Sequence, residues 1–375
     1  MTAPTCRLYI ARDALTQTEW REDPDAHRPL AEGEARLLVE QVALTANNIT
    51  YAAFGEAMQY WRFFPSGDDR FGCLPTWGFA TVAESRAEGL AVGRRVWGYW
   101  PLGTHAVLRP ARLRQAGFVD ASPHRAELAA AYQAYAFCDA DPAWSPAGEG
   151  LQAVLKPLFM TAFLLDDFFA EAGFFGAKRL LLSSASSKTA FATAFCLARR
   201  PRGERPAITG LTSEARRGFV ASLGCFDEVL GYDALESLPA HEAAAYVDFA
   251  GDAALRRRVH THFGNALGHS AAIGGTHWQA LGSGGGLPGP RPTLFFAPAQ
   301  AKKRSAPPPE GWGAEGLNAR LAEGWAAFLA AVQQGPQPWV QVVQHRGTAA
   351  TEAVYRALLE GRADARDGAM VSLAA

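Results

Sequence analysis

The sequence predicts an α/β protein with one mostly β domain and a second domain built on a doubly wound parallel sheet. A length of 375 residues suits about two domains. Residues 35–110 consist of short apolar stretches interrupted by Gly and Pro, which is typical of small antiparallel strands. From about residue 151, apolar runs of strand length alternate with helical stretches. That alternation indicates parallel strands joined by crossover helices.

The composition narrows the class of protein. Hydrophobic residues make up 49% of the chain and charged residues 19%, which is enough apolar surface for sizeable cores. The 36 basic and 37 acidic residues nearly cancel, so we expect no nucleic-acid partner. We also expect a cytoplasmic protein with no membrane partner, because no apolar run spans a bilayer and the first residues lack a secretion signal. Five scattered cysteines indicate neither a disulfide framework nor a structural zinc site.

Apolar spacing and turn residues predict the elements in order. From Ala126, the segment AELAAAYQAYAF and then LQAVLKPLFMTAFLLDDFFAEAG carry apolar residues three and four apart, which predicts helices and a domain boundary near residue 150. The strands of the second domain are predicted at KRLLLSS, AITGLTS, DEVLGYD, AAYVDFAG, HSAAIGG and TLFFAP. The Gly/Pro-rich segments 282–292 and 301–313 predict surface loops. A helix around 317–333, the strand WVQVVQH, a helix ending in RALLEG and the strand GAMVSL complete the chain.

The turn after the first parallel strand, SSASSKTA, is the first candidate site. Ligands of doubly wound sheets bind at the carboxyl ends of the strands, where glycines usually meet a pyrophosphate. Here Ser184, Ser187 and Ala190 stand at the glycine positions. Hydroxyls and helix N-terminal amides can still hold phosphate oxygens, although a serine-rich helix cap explains the segment equally well. A Walker loop would need glycines that are absent here. The candidate cofactor-binding residues of this turn are Ser184, Ser186, Ser187, Lys188 and Thr189.

The end of the next strand indicates which dinucleotide is bound. Strands that prefer NAD end in an acidic residue, whereas this one ends in Thr212 and Ser213 and is followed by Arg216 and Arg217. Hydroxyls with guanidinium groups suit a 2′-phosphate, so the sequence predicts NADP(H), held by Thr212, Ser213 and Arg217. The alternative is that both arginines only form a solvated helix face.

Five separated segments, in order between about residues 35 and 373, carry a family resemblance: GRRVWGYW, FMTAFLLDDFF, VLGYD, RPTLFFAP and RALLEGRADARDGAMVSL. Together they resemble the medium-chain dehydrogenase/reductase superfamily, in particular its zinc-free quinone oxidoreductase and enoyl reductase branch. Within it, LTANNITYAAFG, LPTWGFA, SSASSKTA and GLTS are most similar to a bacterial family of unknown function.

The resemblance implies a GroES-like catalytic domain over residues 1–150, completed by 305–375, and a Rossmann-type NADP-binding domain over 151–304. It places Tyr232 against the adenosine phosphate and Gly274, in SAAIGG, beside the nicotinamide. It also implies a homodimer. Zinc-dependent members hold their metal with a Cys and a Gly-His-Glu triplet. This chain has Ala-Asn-Asn and Trp-Gly-Phe-Ala at those places, so we expect no catalytic zinc.

Hydride transfer without a metal needs a hydroxyl, an amide or a cation to stabilise charge on the substrate oxygen. By the resemblance, an asparagine of the segment ANNITY faces nicotinamide and substrate, and the register leaves Asn47 and Asn48 open. The predicted catalytic residues are Asn48, Tyr51 and Tyr60. Further basic candidates, each with a purely structural alternative, are His269, His277, Arg62, Lys303 and Arg304. The pair His260 and His262 would turn its rings to different faces of a helix, so we expect no metal there.

The leading hypothesis is a zinc-independent, NADPH-dependent oxidoreductase that transfers hydride to an enone, quinone or related carbonyl compound as its small-molecule substrate. One alternative is a noncatalytic protein that binds or senses NADPH on the same fold, since the phosphate-loop glycines are replaced. Another is a non-redox lyase or isomerase, which would form product without consuming NADPH.

Overall fold

The computed structural model describes residues 5–273, 286–334 and 337–373. The chain forms two compact units, which are called here the β unit, residues 1–154 and 341–375, and the parallel-sheet unit, residues 155–340. The sequence assigned residues 305–340 to the first domain together with the C-terminal tail. In the structure, this segment lies with the parallel sheet instead.

The β unit consists mainly of antiparallel strands. Numbered along the chain, they are β1 (Cys6–Ala11), β2 (Thr18–Glu22), β3 (Ala35–Leu44), β4 (Phe71–Cys73), β5 (Pro75–Ser85), β6 (Arg95–Pro101), β7 (His105–Leu108), β8 (Pro110–Arg114), β9 (Gly117–Asp120), β10 (Ala134–Phe137), β17 (Gln341–Arg346) and β18 (Asp367–Ser372). The helices of this unit are α1 (Ala46–Ala53) and α8 (Gly347–Leu359).

The strands of the β unit pair into one large and one small sheet. Among the described residues, the large sheet has the order β17-β18-β3-β5-β6-β10-β9-β8, with β7 on β3, and β1 lies between β2 and β4 in the small sheet. Strand β18 pairs antiparallel with β3, so the end of the chain completes this sheet. At Gly78 on β5, a Cβ would lie 2.2 Å from the Gln41 carbonyl oxygen, so only glycine lets β3 and β5 approach so closely.

The parallel-sheet unit alternates strands with helices. Its strands are β11 (Arg179–Leu182), β12 (Ala207–Thr212), β13 (Glu228–Gly231), β14 (Ala244–Asp248), β15 (Leu267–Ala272) and β16 (Thr293–Leu294). Its helices are α2 (Glu149–Glu171), which contains the boundary between the units, α3 (Lys188–Ala198), α4 (Glu214–Ser222), α5 (Ala253–Phe263), α6 (Ala297–Ser305) and α7 (Gly313–Gln333).

The parallel strands have the order β13-β12-β11-β14-β15-β16 in the described part of the chain. Their direction of progress reverses between β11 and β14, so the crevice for a ligand lies outside the carboxyl ends of these two strands. The central strands β11, β12 and β14 are largely buried on both faces, as is typical of a parallel sheet covered by helices. Leu181, Leu211 and Tyr246 are fully buried in the core that α5 closes with Val259.

Three predicted elements differ from the structure. The helix predicted over AELAAAYQAYAF is wrong, because this segment contains a short 3-10 turn at Ala130–Tyr132 and then strand β10, which pairs with β6 and β9. The loop predicted over 301–313 is wrong in its first part, because helix α6 extends to Ser305 and carries three basic residues in its last turn, where they complement the helix dipole. The predicted strand TLFFAP is short, because α6 begins right after Phe296.

Candidate functional site

The serine turn, residues 183–187, joins β11 to α3 at the crevice of the parallel sheet. The buried Ser183 hydroxyl donates to the Asp248 carboxylate (3.1 Å) and accepts the backbone N–H groups of Phe249 (2.9 Å) and Ala250 (3.1 Å). Asp248 is the last residue of β14. This hydroxyl therefore ties together the ends of the two strands that flank the crevice. Neither Ser183 nor Asp248 was assigned a role from the sequence.

Asp248 also forms a buried ion pair. Its Oδ2 accepts a hydrogen bond from Nε of Arg256 on α5 (2.9 Å), and its Oδ1 accepts the N–H of Gly251 (2.9 Å). Both members of the pair are almost fully buried. A buried pair with these additional hydrogen bonds holds a fixed geometry, because breaking it would leave a charge without its partner in the protein interior.

Ser184 and Ser187 shape the turn. Ser184 has a φ of +48°, the left-handed conformation that normally selects glycine. The Ser187 N–H donates to the Ser184 carbonyl (2.7 Å), and the Ser187 hydroxyl caps α3 by accepting the Ala190 N–H (3.4 Å). Lys188 and Thr189 form the first turn of α3 directly after this cap. The turn thus presents a helix N-terminus to the crevice, which favours an anion.

Small residues let the serine turn close on strand β12. Ala185 is fully buried, and its N–H donates to the Leu211 carbonyl (3.0 Å). A Cβ at Gly210 would lie 3.0 Å from the Ala185 Cβ and 2.8 Å from the Phe226 ring. The close approach that glycines of a dinucleotide fingerprint usually allow is therefore provided here by Gly210 and Ala185.

The two arginines of α4 have different surroundings. Arg216 is half-buried, and its Nη1 donates to the hydroxyl of Ser186 in the serine turn (3.4 Å). Arg217 is exposed and pairs with Glu214 (3.1 Å). Thr212 is buried and Ser213 is exposed at the end of β12. The structure therefore brings Arg216 to the turn, whereas the sequence selected Arg217 for the phosphate.

Tyr232, on the segment after β13, also reaches the serine turn. Burial raises the pKa of its hydroxyl, and a hydrogen bond with the backbone of Ser184 opposes this rise. The Asp252 carboxylate raises this pKa, and the Arg216 guanidinium lowers it. The predicted residues Gly274 and His277 lie outside the described residues.

The other candidate histidines and basic residues that the structure describes contact groups of the protein itself. His260 contacts the Pro288 carbonyl (2.8 Å) and the Ser270 hydroxyl (3.0 Å), and His262 contacts the Leu238 carbonyl (2.8 Å). The ring of His269 stacks on Phe175, with centroids 3.9 Å apart. The basic candidates form ion pairs, which are Arg62 with Glu127, Lys303 with Glu171, and Arg304 with Asp167.

The second candidate site is a tyrosine cluster in the β unit, made of Tyr51 on α1, Tyr60, Tyr99 on β6 and Tyr132. The ring centroids of Tyr51 and Tyr60 are 4.5 Å apart, and those of Tyr99 and Tyr132 are 4.9 Å apart. The hydroxyls of Tyr60 and Tyr132 are 3.4 Å from each other. The indole N–H of Trp77 on β5 donates to the Tyr51 hydroxyl (3.4 Å). The structure thus brings together the two predicted tyrosines and adds two more.

Burial raises the pKa of all four tyrosines in the cluster. All four hydroxyls therefore carry their protons at neutral pH and can act as neutral hydrogen-bond donors. The Tyr99 hydroxyl is buried without a hydrogen-bond partner in the described part of the chain. A group of neutral hydroxyls in an apolar environment suits stabilisation of a developing negative charge.

Asn48 has a structural task at the start of α1. Its side-chain oxygen accepts the Thr45 N–H (2.8 Å), and its amide donates to the buried Pro75 carbonyl (3.0 Å). Asn47 instead forms a hydrogen bond with Tyr51, which lowers the pKa of that hydroxyl against the larger effect of burial. Of the two asparagines that the sequence left open, Asn47 is the one beside the tyrosine cluster.

Sequence reasoning missed Tyr99 and Tyr132. Tyr99 and Trp97 are two residues apart on β6, so their side chains lie on the same face of the sheet. Two large aromatic side chains on one face indicate burial, but they do not indicate a functional site. Tyr132 lies in a segment predicted as helix, and its proximity to Tyr60 depends on the tertiary fold.

The described residues hold no group of three or more His, Cys, Asp or Glu side chains arranged to bind a metal ion. None of the described helices is long and apolar enough to cross a membrane.

A shallow cavity of about 640 Å³, lined in part by Arg199, Cys225 and Trp339, lies at the other end of α3 from the serine turn. The 11 residues of α3 span about 16 Å, so this cavity is separate from the turn.

Comparisons with known proteins agree with the fold. The family model described as "Protein of unknown function (DUF2855)" matches residues 42–364. CurA from Vibrio vulnificus in complex with NADPH is 13% identical over 98% of each chain, with a TM-score of 0.58. The yhdH oxidoreductase from Salmonella enterica in complex with NADP is 13% identical over 95% of each chain (TM-score 0.51). A mutant enoyl thioester reductase from Candida tropicalis is 11% identical over 99% of this chain and 100% of that chain (TM-score 0.53). No curated protein matches the sequence significantly.

At these identities the similarity shows the fold. It confirms the predicted class, an α/β protein with a GroES-like, mostly β domain and a Rossmann doubly wound parallel sheet. The fold that the resemblance of five short segments implied is confirmed with it.

Proposed function

This chain belongs to the DUF2855 family of proteins of unknown function, and we propose that it is an NADPH-dependent oxidoreductase that reduces an enone, quinone or related carbonyl compound. The observation that carries the proposal is the serine turn at the crevice of the parallel sheet, with Arg216 hydrogen-bonded to Ser186. The turn has the helix N-terminus that binds a pyrophosphate, and Arg216 supplies the cation that a 2′-phosphate requires. Two proteins of this fold, CurA and yhdH, have structures with NADPH or NADP.

The residues of the parallel-sheet unit divide into two groups for NADPH. The first group would hold the pyrophosphate at the start of α3 and consists of Ser184, Ser187, Lys188 and Thr189. The second group would surround the adenosine phosphate and consists of Ser186, Thr212, Ser213, Arg216, Arg217 and Tyr232. Glu214, the carboxylate nearest in sequence to the end of β12, is directed to Arg217. This arrangement favours a phosphate over free ribose hydroxyls. Gly274 remains the proposed neighbour of the nicotinamide.

Bound NADPH supplies a hydride from C4 of its nicotinamide. The chain itself must then stabilise the negative charge that develops on the substrate and provide a proton. We assign this role to the neutral hydroxyls of Tyr51 and Tyr60, with the amide of Asn47 beside them. Asn48 fixes the start of α1, on which Tyr51 lies.

The same reaction is proposed without a catalytic zinc. The places where related enzymes have a Cys and a Gly-His-Glu triplet are occupied here by Ala46-Asn47-Asn48 and Trp77-Gly78-Phe79-Ala80. None of these side chains is a zinc ligand of the usual Cys, His or carboxylate type. In the structure, Trp77 and Asn47 instead contact Tyr51, so the region has become part of a hydroxyl site.

The proposal is tested by titrating the protein with NADPH and, separately, with NADH while the nicotinamide fluorescence is recorded. We expect NADPH to bind much more tightly. A panel of enones, quinones and aldehydes is then added, and NADPH oxidation is followed by its absorbance. Absence of NADPH binding at millimolar concentration would refute the enzyme hypothesis. Binding without oxidation would favour a sensing protein, and product without NADPH consumption would favour a lyase or isomerase.

A homodimer is proposed as the functional assembly. Strand β16 is the edge of the parallel sheet in the described residues, and its Leu294 is 60% exposed. An open edge with an exposed apolar side chain suits pairing with a second copy. Sedimentation analysis of the wild-type chain and of Leu294→Lys tests this, and an unchanged monomer in both would contradict it.

A further inference from the structure

Arg125 is a buried cation in the same unit as the tyrosine cluster. It ends a short 3-10 turn, Pro123–Arg125, that follows β9. Its guanidinium is almost fully buried and forms an ion pair with Asp120, the last residue of β9 (3.1 Å). Because this carboxylate neutralises the charge, the other N–H groups of the guanidinium can bond neutral acceptors without leaving an unpaired charge in the interior.

The guanidinium joins the segments that carry Tyr60 and Tyr99. Its Nε donates to the carbonyl of Phe63, three residues after Tyr60 (3.1 Å). Its Nη1 donates to the Tyr135 hydroxyl (2.9 Å), which in turn donates to the carbonyl of Tyr99 on β6 (2.8 Å). A guanidinium has donors but no acceptor, and a carbonyl only accepts, so the chemistry of the groups fixes the direction of all three bonds. Arg125 therefore ties the backbone of the Tyr60 segment to that of β6.

The backbone of Arg125 makes a third connection. The side-chain amide of Gln133 donates to the carbonyls of Arg125 (2.9 Å) and Leu128 (2.8 Å). Gln133 is buried and directly follows Tyr132, at the end of its 3-10 turn. These bonds fold the segment from Arg125 to Gln133 onto itself, with Tyr132 in it. Arg125 thus connects three of the four segments that carry the rings of the cluster.

The cluster depends on such connections because its own polar contacts are weak. The hydroxyls of Tyr60 and Tyr132 are 3.4 Å apart, which is long for a bond between hydroxyls, and the Tyr99 hydroxyl has no hydrogen-bond partner among the described residues. Contacts between apolar ring faces are largely non-directional. The bonds of the Arg125 guanidinium and of the Tyr135 hydroxyl have ordinary lengths, so they determine how the ring-bearing segments lie relative to one another.

We propose that Arg125 is a positioning residue of the proposed reductase. It holds the Tyr60 segment, β6 and the Tyr132 turn in the arrangement in which the tyrosine hydroxyls can serve a substrate, and it acts only through them. This inference rests on the proposed function. Lysine is no substitute at this position, because it presents its donors from a single nitrogen and cannot reproduce the fork that reaches Phe63 and Tyr135.

The first test compares Arg125→Lys with the matched control His124→Ala in steady-state kinetics, with an acceptor that the wild-type protein reduces. His124 is the preceding residue, is exposed and contacts the same Phe63 carbonyl (3.3 Å). We expect Arg125→Lys to lower kcat about 10- to 100-fold, as displacement of catalytic groups by about 1 Å does, and His124→Ala to keep the wild-type value. The NADPH dissociation constant should not change, because the proposed cofactor residues lie in the parallel-sheet unit. A joint loss of kcat and NADPH affinity, or an unchanged kcat, would overturn the inference.

A milder variant covers the case that Arg125→Lys does not fold. Tyr135→Phe leaves the guanidinium, its ion pair and the Phe63 bond in place and removes only the link to the Tyr99 carbonyl. We expect kcat to fall about 2- to 10-fold, the range that corresponds to one hydrogen bond. In Arg125→Lys the same substitution should have little further effect, since both changes break the same link. An unchanged kcat in Tyr135→Phe would overturn the inference.

A second measurement needs no activity. The ¹³Cζ resonances of Tyr60 and Tyr99, recorded without cofactor, should shift in Arg125→Lys, whereas that of Tyr355 should not, because its hydroxyl donates to the Leu15 carbonyl instead. Unchanged resonances of Tyr60 and Tyr99 would overturn the inference whatever the protein catalyses. A wild-type protein that binds NADPH but reduces no acceptor would refute the proposed function and any effect of Arg125 on kcat, while the resonances would still decide whether Arg125 holds the cluster.

Discussion

The serine turn is held by hydrogen bonds to backbone amides and to one carboxylate, whereas the tyrosine cluster is held by ring contacts between four separated segments. Ser183 has defined partners in Asp248, Phe249 and Ala250. In the cluster, the hydroxyls of Tyr60 and Tyr132 are 3.4 Å apart, and the Tyr99 hydroxyl has no hydrogen-bond partner among the described residues. The difference suggests two tasks. A fixed turn suits the binding of an unvarying cofactor, and a set of loosely bonded neutral hydroxyls suits chemistry on a substrate.

The largest expected effect concerns the fixed geometry of the turn. Asp248→Ala removes the carboxylate from the buried Arg256 guanidinium, and we expect the free energy of unfolding to fall by about 3–5 kcal/mol. Glu214→Ala is the control, because its pair with Arg217 is exposed and contributes at most about 1 kcal/mol. Urea unfolding of both variants provides the measurement. Equal losses would mean that the buried pair does not hold the turn.

The next effect separates the two arginines of α4. Arg216→Gln removes the guanidinium that reaches the serine turn, and we expect NADPH affinity to fall roughly 10- to 100-fold, the loss of one charge-assisted hydrogen bond. NADH affinity should stay the same, because NADH lacks the 2′-phosphate. Arg217→Gln, with its exposed side chain, should change NADPH affinity only a few-fold. Fluorescence titration with NADPH measures the affinity of both variants. A larger loss of NADPH affinity in Arg217→Gln would support the assignment of Arg217 that was made from the sequence.

A smaller effect compares a bonded hydroxyl with one that lacks a partner. The Tyr135 hydroxyl donates to the Tyr99 carbonyl (2.8 Å) and accepts from Arg125 (2.9 Å), so Tyr135→Phe should lower the free energy of unfolding by about 1–3 kcal/mol. Tyr99→Phe removes a buried hydroxyl without a hydrogen bond and should leave stability unchanged or raise it by up to about 1 kcal/mol. Thermal unfolding compares the two. A clear loss in Tyr99→Phe would show that this hydroxyl has a partner in solution.

The smallest effect tests the backbone of the turn. Ser184 has a φ of +48°, so Ser184→Gly should relieve strain of about 1 kcal/mol, partly offset by the greater entropy of glycine in the unfolded chain. We expect a net gain of a few tenths of a kcal/mol in the free energy of unfolding, measured by urea unfolding. Ser187→Gly is the comparison, since it removes the α3 cap and should cost a few tenths of a kcal/mol. Destabilisation by Ser184→Gly would mean that the Ser184 side chain holds the turn.

Local patterns were enough to predict the beginning of the parallel-sheet unit. Strand β11, the serine turn and helix α3 follow one another in sequence, so the apolar run, the turn residues and the N-cap of Ser187 could be recognised directly. The fold class follows from the same alternation. The role of Asp248 could not be predicted from the sequence. Asp248 lies more than 60 residues from Ser183, and the two side chains come into contact only because β14 pairs with β11.

The β unit was harder to predict because its contacts are long-range. The segment around Tyr132 has the spacing of a helix, yet strand β10 forms there because β6 and β9 offer backbone partners on both sides. Tertiary pairing overrides helix propensity in such cases. Tyr51 and Tyr60 could be proposed from the resemblance, but the other half of the cluster requires the folded sheet.

The two backbone N–H groups that donate to Ser183 have a practical use. Hydrogen bonds to a buried side-chain oxygen slow the exchange of amide protons with solvent, so the signals of Phe249 and Ala250 report whether the β14 end is tied to β11. These two amides form a built-in spectroscopic probe of the crevice. It can be read in the protein alone, without a coloured ligand and before any substrate has been identified.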